Sequence, residues 1–210
     1  ASDEIRIGLI GCGGRGSGAA RDAINGSQNV KIVALGDVFQ DRLEGCFSGL
    51  LKTAEESAEL KAKIGVTKEK CFVGFDAYKK VIASGVDMVI LATPPGFRPT
   101  HLQAAINAGK HVFMEKPVAV DAPGVRTVIA AAAMAGQKKL GIVAGTQRRH
   151  QNAYVETIKR LHAGAIGEIV AAQCYWNQGG LWMHKRQDSW SDMESVSYTH
   201  LRAHETPEHL

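Results

Sequence analysis

A short apolar run that ends in a cluster of glycines most constrains how this chain can fold. Ile5–Ile10 is long enough for one buried strand. It is followed by Gly11-Cys12-Gly13-Gly14-Arg15-Gly16, a G-x-G-x-x-G loop, and then by a helix-like segment at residues 19–24. A strand, a glycine loop and a helix in this order form the context that a dinucleotide-binding site requires.

Each position of the loop has an expected role. Gly11 permits a tight turn, Gly13 and the adjacent Gly14 leave room for a pyrophosphate, and Gly16 permits close packing of helix and strand. The phosphates would bind backbone N–H groups at the positive end of the helix. Arg15 either covers the pyrophosphate or is a solvated loop charge.

An acidic residue follows the second predicted strand, at residues 30–36. Asp37 lies 21 residues after Gly16, close to the spacing of about 20 for the residue that binds the adenosine ribose. Its carboxylate can accept from both ribose hydroxyls and would repel a 2′-phosphate, which favours NAD over NADP. Arg42 nearby keeps NADP possible, and a helix N-cap is the alternative role for Asp37.

Strands and helices are predicted to alternate along the rest of the first 148 residues. The apolar pattern predicts further strands at residues 71–75, 86–92, 110–114 and 140–145. It predicts helices at residues 41–64, around 78–82, at 99–108 and at 121–135. This alternation indicates an α/β fold, a doubly wound parallel sheet of the Rossmann type with right-handed crossovers.

Five candidate site residues fall at or just past the ends of predicted strands. Ligands of such sheets collect outside the carboxyl ends of the strands. The agreement in position strengthens the prediction of a dinucleotide site more than any single motif does. The five residues are Gly11, Asp37, Thr93, Glu115 and Gln147.

The pattern changes after residue 148, which we take as the end of the dinucleotide-binding domain. Tyr154, Val155, Ile158 and Leu161 have helical spacing, and residues 168–176 alternate as a strand would. We therefore expect residues 149–194 to begin a second domain.

Residues 92–117, ATPPGFRPTHLQAAINAGKHVFMEKP, resemble the oxidoreductase family named for glucose-fructose oxidoreductase, inositol dehydrogenase and rhizopine catabolism (Gfo/Idh/MocA). The glycine loop, Gln147-Arg148-Arg149 and the turn at residues 164–168 extend the resemblance. It implies an NAD(P)-dependent dehydrogenase that acts on a sugar, polyol or related compound and forms a homo-oligomer at full length. It also implies that residues 149–194 begin an α/β domain with an open sheet, which carries substrate-binding and oligomerisation surfaces.

The same resemblance implies a catalytic role for Lys116, which would reach the nicotinamide and the substrate hydroxyl. A free lysine has a pKa of about 10.4, and desolvation beside a positive ring would lower it. The peptide bond before Pro117 is expected to be cis. The alternative is an exposed Glu115–Lys116 ion pair. Cofactor contacts are further implied for Thr93, Pro94, His101, Glu115, Lys116 and Gln147, although His101 could equally be a structural histidine.

The resemblance ends after Glu194, and no residue matches the family's second catalytic group. Residues 196–206, VSYTHLRAHET, resemble the translation of a transposase mosaic-end sequencing adapter. We therefore expect residues 195–210 to be a non-native tail. We also expect the chain on its own to bind NAD weakly and to be inactive, because half of the substrate pocket would be absent.

Two other functions use the same features. One is a glycosidase that oxidises its substrate transiently with bound NAD, and the other is a non-catalytic nucleotide-binding sensor. A net charge of +4 without a large basic cluster argues against nucleic acid as a partner. The absence of an apolar run near about 20 residues argues against a membrane span. Widely spaced cysteines predict no metal site. The expected compartment is the cytoplasm, or the periplasm if an export signal preceded Ala1.

Overall fold

A computed structural model describes residues 4–175, 177 and 186–199 of the chain. The chain divides into two compact units, Ala1–Ala144 and Gly145–Leu210. The boundary expected after residue 148 stays a prediction. Within the described residues, no helix is both long and apolar enough to span a membrane.

The first unit is built on a six-stranded sheet in which all neighbouring strands are parallel. The strand order β3-β2-β1-β4-β5-β6 runs outward in both directions from β1, which confirms the predicted doubly wound topology. The strands are β1 (Ile5–Ile10), β2 (Val30–Asp37), β3 (Cys71–Val73), β4 (Met88–Leu91), β5 (His111–Met114) and β6 (Ile142–Ala144).

Helices cover both faces of this sheet, which explains why its central strands are continuous apolar runs. Helices α1 and α2 pack with Ile7 and Leu9 in one buried cluster. Helices α4, α5 and α6 pack with Ile10 and Val89 in a second cluster on the other face. The helices of this unit are α1 (Gly14–Gly26), α2 (Gln40–Glu56), α3 (Ala58–Ala62), α4 (Ala77–Ala83), α5 (Arg98–Asn107) and α6 (Ala122–Gln137).

The long helical region predicted at residues 41–64 is confirmed over most of its length, and it consists of two helices, α2 and α3. Ser57 is extended, with φ −159° and ψ 157°, and it separates α2 from α3. Its hydroxyl accepts a hydrogen bond from the N–H of Leu60 at 3.1 Å, so it caps the second helix. Ile64 lies beyond that helix and forms a parallel bridge with Ile32.

The second unit begins with a 3₁₀ turn at Gln147–His150 and the predicted amphipathic helix, α7 (Asn152–His162). The strand predicted at residues 168–176 is wrong for residues 168–175, which form no ladder, and Trp176 lies outside the described residues. Alternation sets which way side chains point, but a strand also needs a neighbour for its backbone hydrogen bonds.

The last helix of the described residues, α8 (Asp192–Thr199), crosses the point at which the family resemblance ends. Residues 200–210 lie outside the described part of the chain. The non-native origin of residues 195–210 therefore stays a prediction.

Candidate active site

The glycine loop joins β1 to α1, and two of its positions admit only glycine. Gly11 has φ +98°, and a Cβ there would lie 2.6 Å from the backbone nitrogen of Thr93. A Cβ on Gly16 would lie 1.7 Å from the carbonyl oxygen of Gly11. The loop therefore packs tightly against the start of its own helix and against the end of β4.

The outer side of the same loop is open. A Cβ on Gly13 or Gly14 would meet no atom within 4 Å. Gly13 is the N-cap of α1 and has no side-chain cap, and the first turn of α1 contains no acidic residue. No side chain caps the first N–H groups of this helix, and the space beside Gly13 and Gly14 is open, so the arrangement fits the pyrophosphate of a dinucleotide.

Asp37 ends β2 beside this loop and is held by two backbone groups. Its Oδ2 accepts from the N–H of Cys12 at 2.6 Å, and its Oδ1 accepts from the N–H of Phe39 at 2.9 Å. Burial raises the pKa of Asp37, and these hydrogen bonds oppose that rise. The N-cap of α2 is Phe39, not Asp37. Each carboxylate oxygen keeps a further acceptor site, which a ribose hydroxyl can use.

Thr93 follows β4, and its hydroxyl lies 3.2 Å from Nδ1 of His101 on α5. The imidazole of His101 is buried and stacks on Tyr78, with ring centroids 4.3 Å apart. Burial lowers the pKa of His101 to about 4, so the ring is neutral at pH 7. The structure therefore gives His101 a role in positioning Thr93, and a direct contact with the cofactor stays a prediction.

The turn after Thr93 leads into α5, and the start of α5 contacts the segment that follows β5. The carbonyl of Pro94 accepts from the N–H of Phe97 at 3.0 Å, just before α5 begins. Arg98, which is buried in the first turn of α5, donates to the carbonyl oxygen of Pro117. Arg98 was not predicted as part of the site, because nothing in the sequence shows that a charged residue at a helix start is buried.

Glu115 and Lys116 follow β5 and have contrasting surroundings. The Glu115 side chain is only 3% exposed, and its Oε1 accepts from Arg15 Nη2 at 2.6 Å. The alternative of an exposed Glu115–Lys116 ion pair is therefore wrong. Lys116 is exposed, and the described residues offer its ammonium no ion-pair partner. The Lys116–Pro117 peptide bond is cis, as expected.

These groups lie in sequence along one edge of the sheet. Asp37 ends β2, the glycine loop follows β1, Thr93 follows β4 and Lys116 follows β5, and these strands are consecutive neighbours. Since neighbouring strands are about 4.8 Å apart, the edge from β2 to β5 spans roughly 14 Å. An elongated ligand with a diol, a diphosphate and a reactive ring matches this order of groups. Gln147 belongs to the second unit, where it is exposed at the start of the 3₁₀ turn.

Comparison with known proteins finds similarity to dehydrogenases of inositols. Inositol 2-dehydrogenase 4 of Saccharopolyspora erythraea is 33% identical over 171 residues, which cover 81% of this chain and 45% of the relative. The scyllo-inositol dehydrogenase of Lactobacillus casei, solved with bound NAD(H) and scyllo-inositol, is 25% identical, with a TM-score of 0.60 over 79% of this chain and 43% of that one.

A third similar protein is the myo-inositol 2-dehydrogenase of Lactobacillus plantarum. It is 27% identical, with a TM-score of 0.61 over 80% of this chain and 43% of the other. The chain thus spans less than half the length of these relatives. Residues 5–142 match the oxidoreductase family with an NAD-binding Rossmann fold, GFO_IDH_MocA. The chain therefore belongs to the Gfo/Idh/MocA family of NAD-binding oxidoreductases.

Proposed function

We propose that the protein transfers a hydride between NAD and a hydroxyl-bearing carbon of an inositol-like polyol. The observation that carries the proposal is the alignment of Asp37, the glycine loop and Lys116 along the carboxyl ends of neighbouring strands. The inositol dehydrogenases among the similar proteins support a cyclic polyol as the substrate class.

Binding is divided between two parts of the sheet edge. The open N–H groups at the start of α1 hold the diphosphate, and the free acceptor sites of Asp37 hold the adenosine ribose hydroxyls. The Asp37 carboxylate also repels a 2′-phosphate, so NAD is preferred to NADP. Bound NAD supplies the hydride acceptor for the reaction.

Lys116 performs the proton transfer in this proposal. When a hydride leaves an alcohol carbon, the hydroxyl proton must be accepted by a nearby base. Lys116 is exposed at the strand end, where the described residues offer its ammonium no ion-pair partner. In the proposed reaction, the amine of Lys116 accepts the hydroxyl proton at Nζ.

The test replaces Lys116 by methionine, which has a similar length and no charge, in the complete gene product. NAD affinity should change little, while the rate of NADH formation from myo-inositol should fall by at least about 100-fold. Lys80→Met, at an exposed position on α4, is the matched control and should keep full activity.

Three outcomes would contradict the proposal. Turnover by Lys116→Met at the parent rate would exclude Lys116 as the base. Cleavage of a glycoside without net NADH would indicate the glycosidase alternative. NAD binding without turnover of any polyol would indicate a sensor.

A further inference from the structure

A buried negative charge lies beside the place proposed for an anionic ligand. Glu115 is buried at the end of β5, next to the proposed catalytic Lys116. Its cationic partner Arg15 extends from the first turn of α1, the helix whose N-terminus would bind the diphosphate. One ion pair thus joins the cofactor loop to the catalytic strand end, across β4.

The two partners differ strongly in exposure. The Glu115 side chain is 3% exposed, whereas that of Arg15 is 53% exposed. A guanidinium carries five N–H donors, so the contact from Nη2 to Glu115 leaves donors on the solvent side. The other acidic neighbour, Asp22, lies 4.0 Å from Nη1 and is itself exposed, so it binds Arg15 only weakly.

The charges of Glu115 and Arg15 determine whether an anionic ligand can bind beside them. A buried carboxylate without a partner would repel a diphosphate at the same edge of the sheet, with little screening by water. Arg15 cancels that charge, and the hydrogen bond to Glu115 holds the pKa of Arg15 above its usual value. The guanidinium therefore stays cationic, with donors available on its open side.

We propose that Arg15 masks the charge of Glu115, so that a buried carboxylate can lie beside Lys116 without excluding the diphosphate of NAD. Arg15 is then a positioning residue that acts through Glu115. This inference rests on the proposed function, and it differs from a direct role of Glu115 in holding the cofactor.

The test is a double-mutant cycle in the complete gene product, with NAD binding measured by calorimetry. Arg15→Gln should weaken NAD binding by about tenfold or more, because the unpaired Glu115 carboxylate then opposes the diphosphate. Arg15→Gln combined with Glu115→Gln should restore the affinity to within about threefold of the parent, and Glu115→Gln alone should bind NAD at least as tightly as the parent.

A matched control lies at the opposite edge of the sheet. Arg6 pairs with Asp87 at 2.9 Å near the amino ends of β1 and β4, and both side chains are partly exposed. Arg6→Gln removes a similar ion pair far from the glycine loop. It should leave the NAD dissociation constant unchanged.

Several results would overturn the inference. If Glu115→Gln alone weakens NAD binding more than about threefold, Glu115 holds the cofactor directly and the inference is wrong. This single variant tests the inference even if Arg15→Gln does not fold. If the double variant binds no better than Arg15→Gln, there is no masking. If the parent protein binds no NAD, the proposed function is overturned as well. If the parent binds NAD and the double variant does not recover NAD affinity, only this inference is overturned.

Discussion

Two backbone N–H groups depend on the Asp37 carboxylate, one from the glycine loop and one from the start of α2. Asp37→Asn offers a single oxygen in place of two, so one of these N–H groups loses its acceptor. We expect the free energy of unfolding to fall by about 1–3 kcal/mol and NAD affinity to fall with it. Urea denaturation and calorimetry measure the two effects, and an unchanged stability would contradict the structural role.

His101 should make stability depend on pH in the acid range. Its pKa is lowered from 6.5 to about 4 by burial. Between these values the unfolded chain binds a proton that the folded protein does not, so the free energy of unfolding falls as the pH drops from about 6.5 to 4. At about 1.4 kcal/mol per pKa unit, the loss reaches about 3 kcal/mol.

A variant isolates this effect from the titration of carboxylates. His101→Phe keeps a ring against Tyr78 and cannot be protonated. Its unfolding free energy, measured by urea denaturation, should vary less with pH than that of the parent. His162→Gln, at an exposed position, should follow the parent. Equal pH dependence of His101→Phe and the parent would show that His101 is not buried in its neutral form.

Spacing in the sequence predicted where some of these residues lie in the site, but not which of them pair with each other. Asp37 follows a strand at the expected distance from the glycine loop, so its position was predictable. Arg15 and Glu115 are 100 residues apart, and only the order of the strands brings them together. Pairing of this kind depends on tertiary structure and leaves no local pattern in a single sequence.

At the scale of elements, the turn between β1 and α1 is the most tightly constrained part of the fold. A Cβ on Gly16 would overlap the carbonyl oxygen of Gly11, a backbone atom that cannot move aside cheaply. Gly16→Ala should therefore lower the free energy of unfolding by about 3 kcal/mol or more, or prevent folding. Thermal or urea unfolding measures this change.

Gly18 provides the matched control on the same helix. A Cβ there would meet no atom within 4 Å. Gly18→Ala should raise the free energy of unfolding by up to about 1 kcal/mol, since alanine favours a helix over glycine. If Gly16→Ala and Gly18→Ala lowered the free energy of unfolding by similar amounts, helix α1 as a whole would be sensitive to substitution, and the contact with Gly11 would not explain the loss.

A strand or helix could be predicted from the sequence where a single buried run of apolar residues defines it. The bounds of β1 agree with its apolar run, because helices cover both faces of that strand. The break between α2 and α3 was missed because Ser57 is compatible with a helix interior and acts as a cap only through its extended backbone. The prediction of a strand failed over residues 168–175 because alternation does not supply a pairing partner.

At the scale of the whole molecule, protection against exchange should differ between the two units. Strand β1 is hydrogen-bonded on both sides and contains fully buried residues, whereas α7 contains no buried residue. We expect the amides of β1 to exchange most slowly and those of α7 to exchange through local fraying. Hydrogen exchange followed by mass spectrometry tests this, and equal protection of α7 and β1 would contradict it.

The two hydrogen bonds that Asp37 accepts also affect how cofactor preference can change during evolution. With Asp37 at the adenosine ribose, as proposed, a shift towards NADP requires loss of its carboxylate, but the same carboxylate ties β2 to the loop after β1. A lineage that replaces Asp37 must therefore gain a new acceptor for the N–H of Cys12 at the same time. The order of mutations is restricted, and variants with a stabilising change elsewhere have the easier route to the other cofactor.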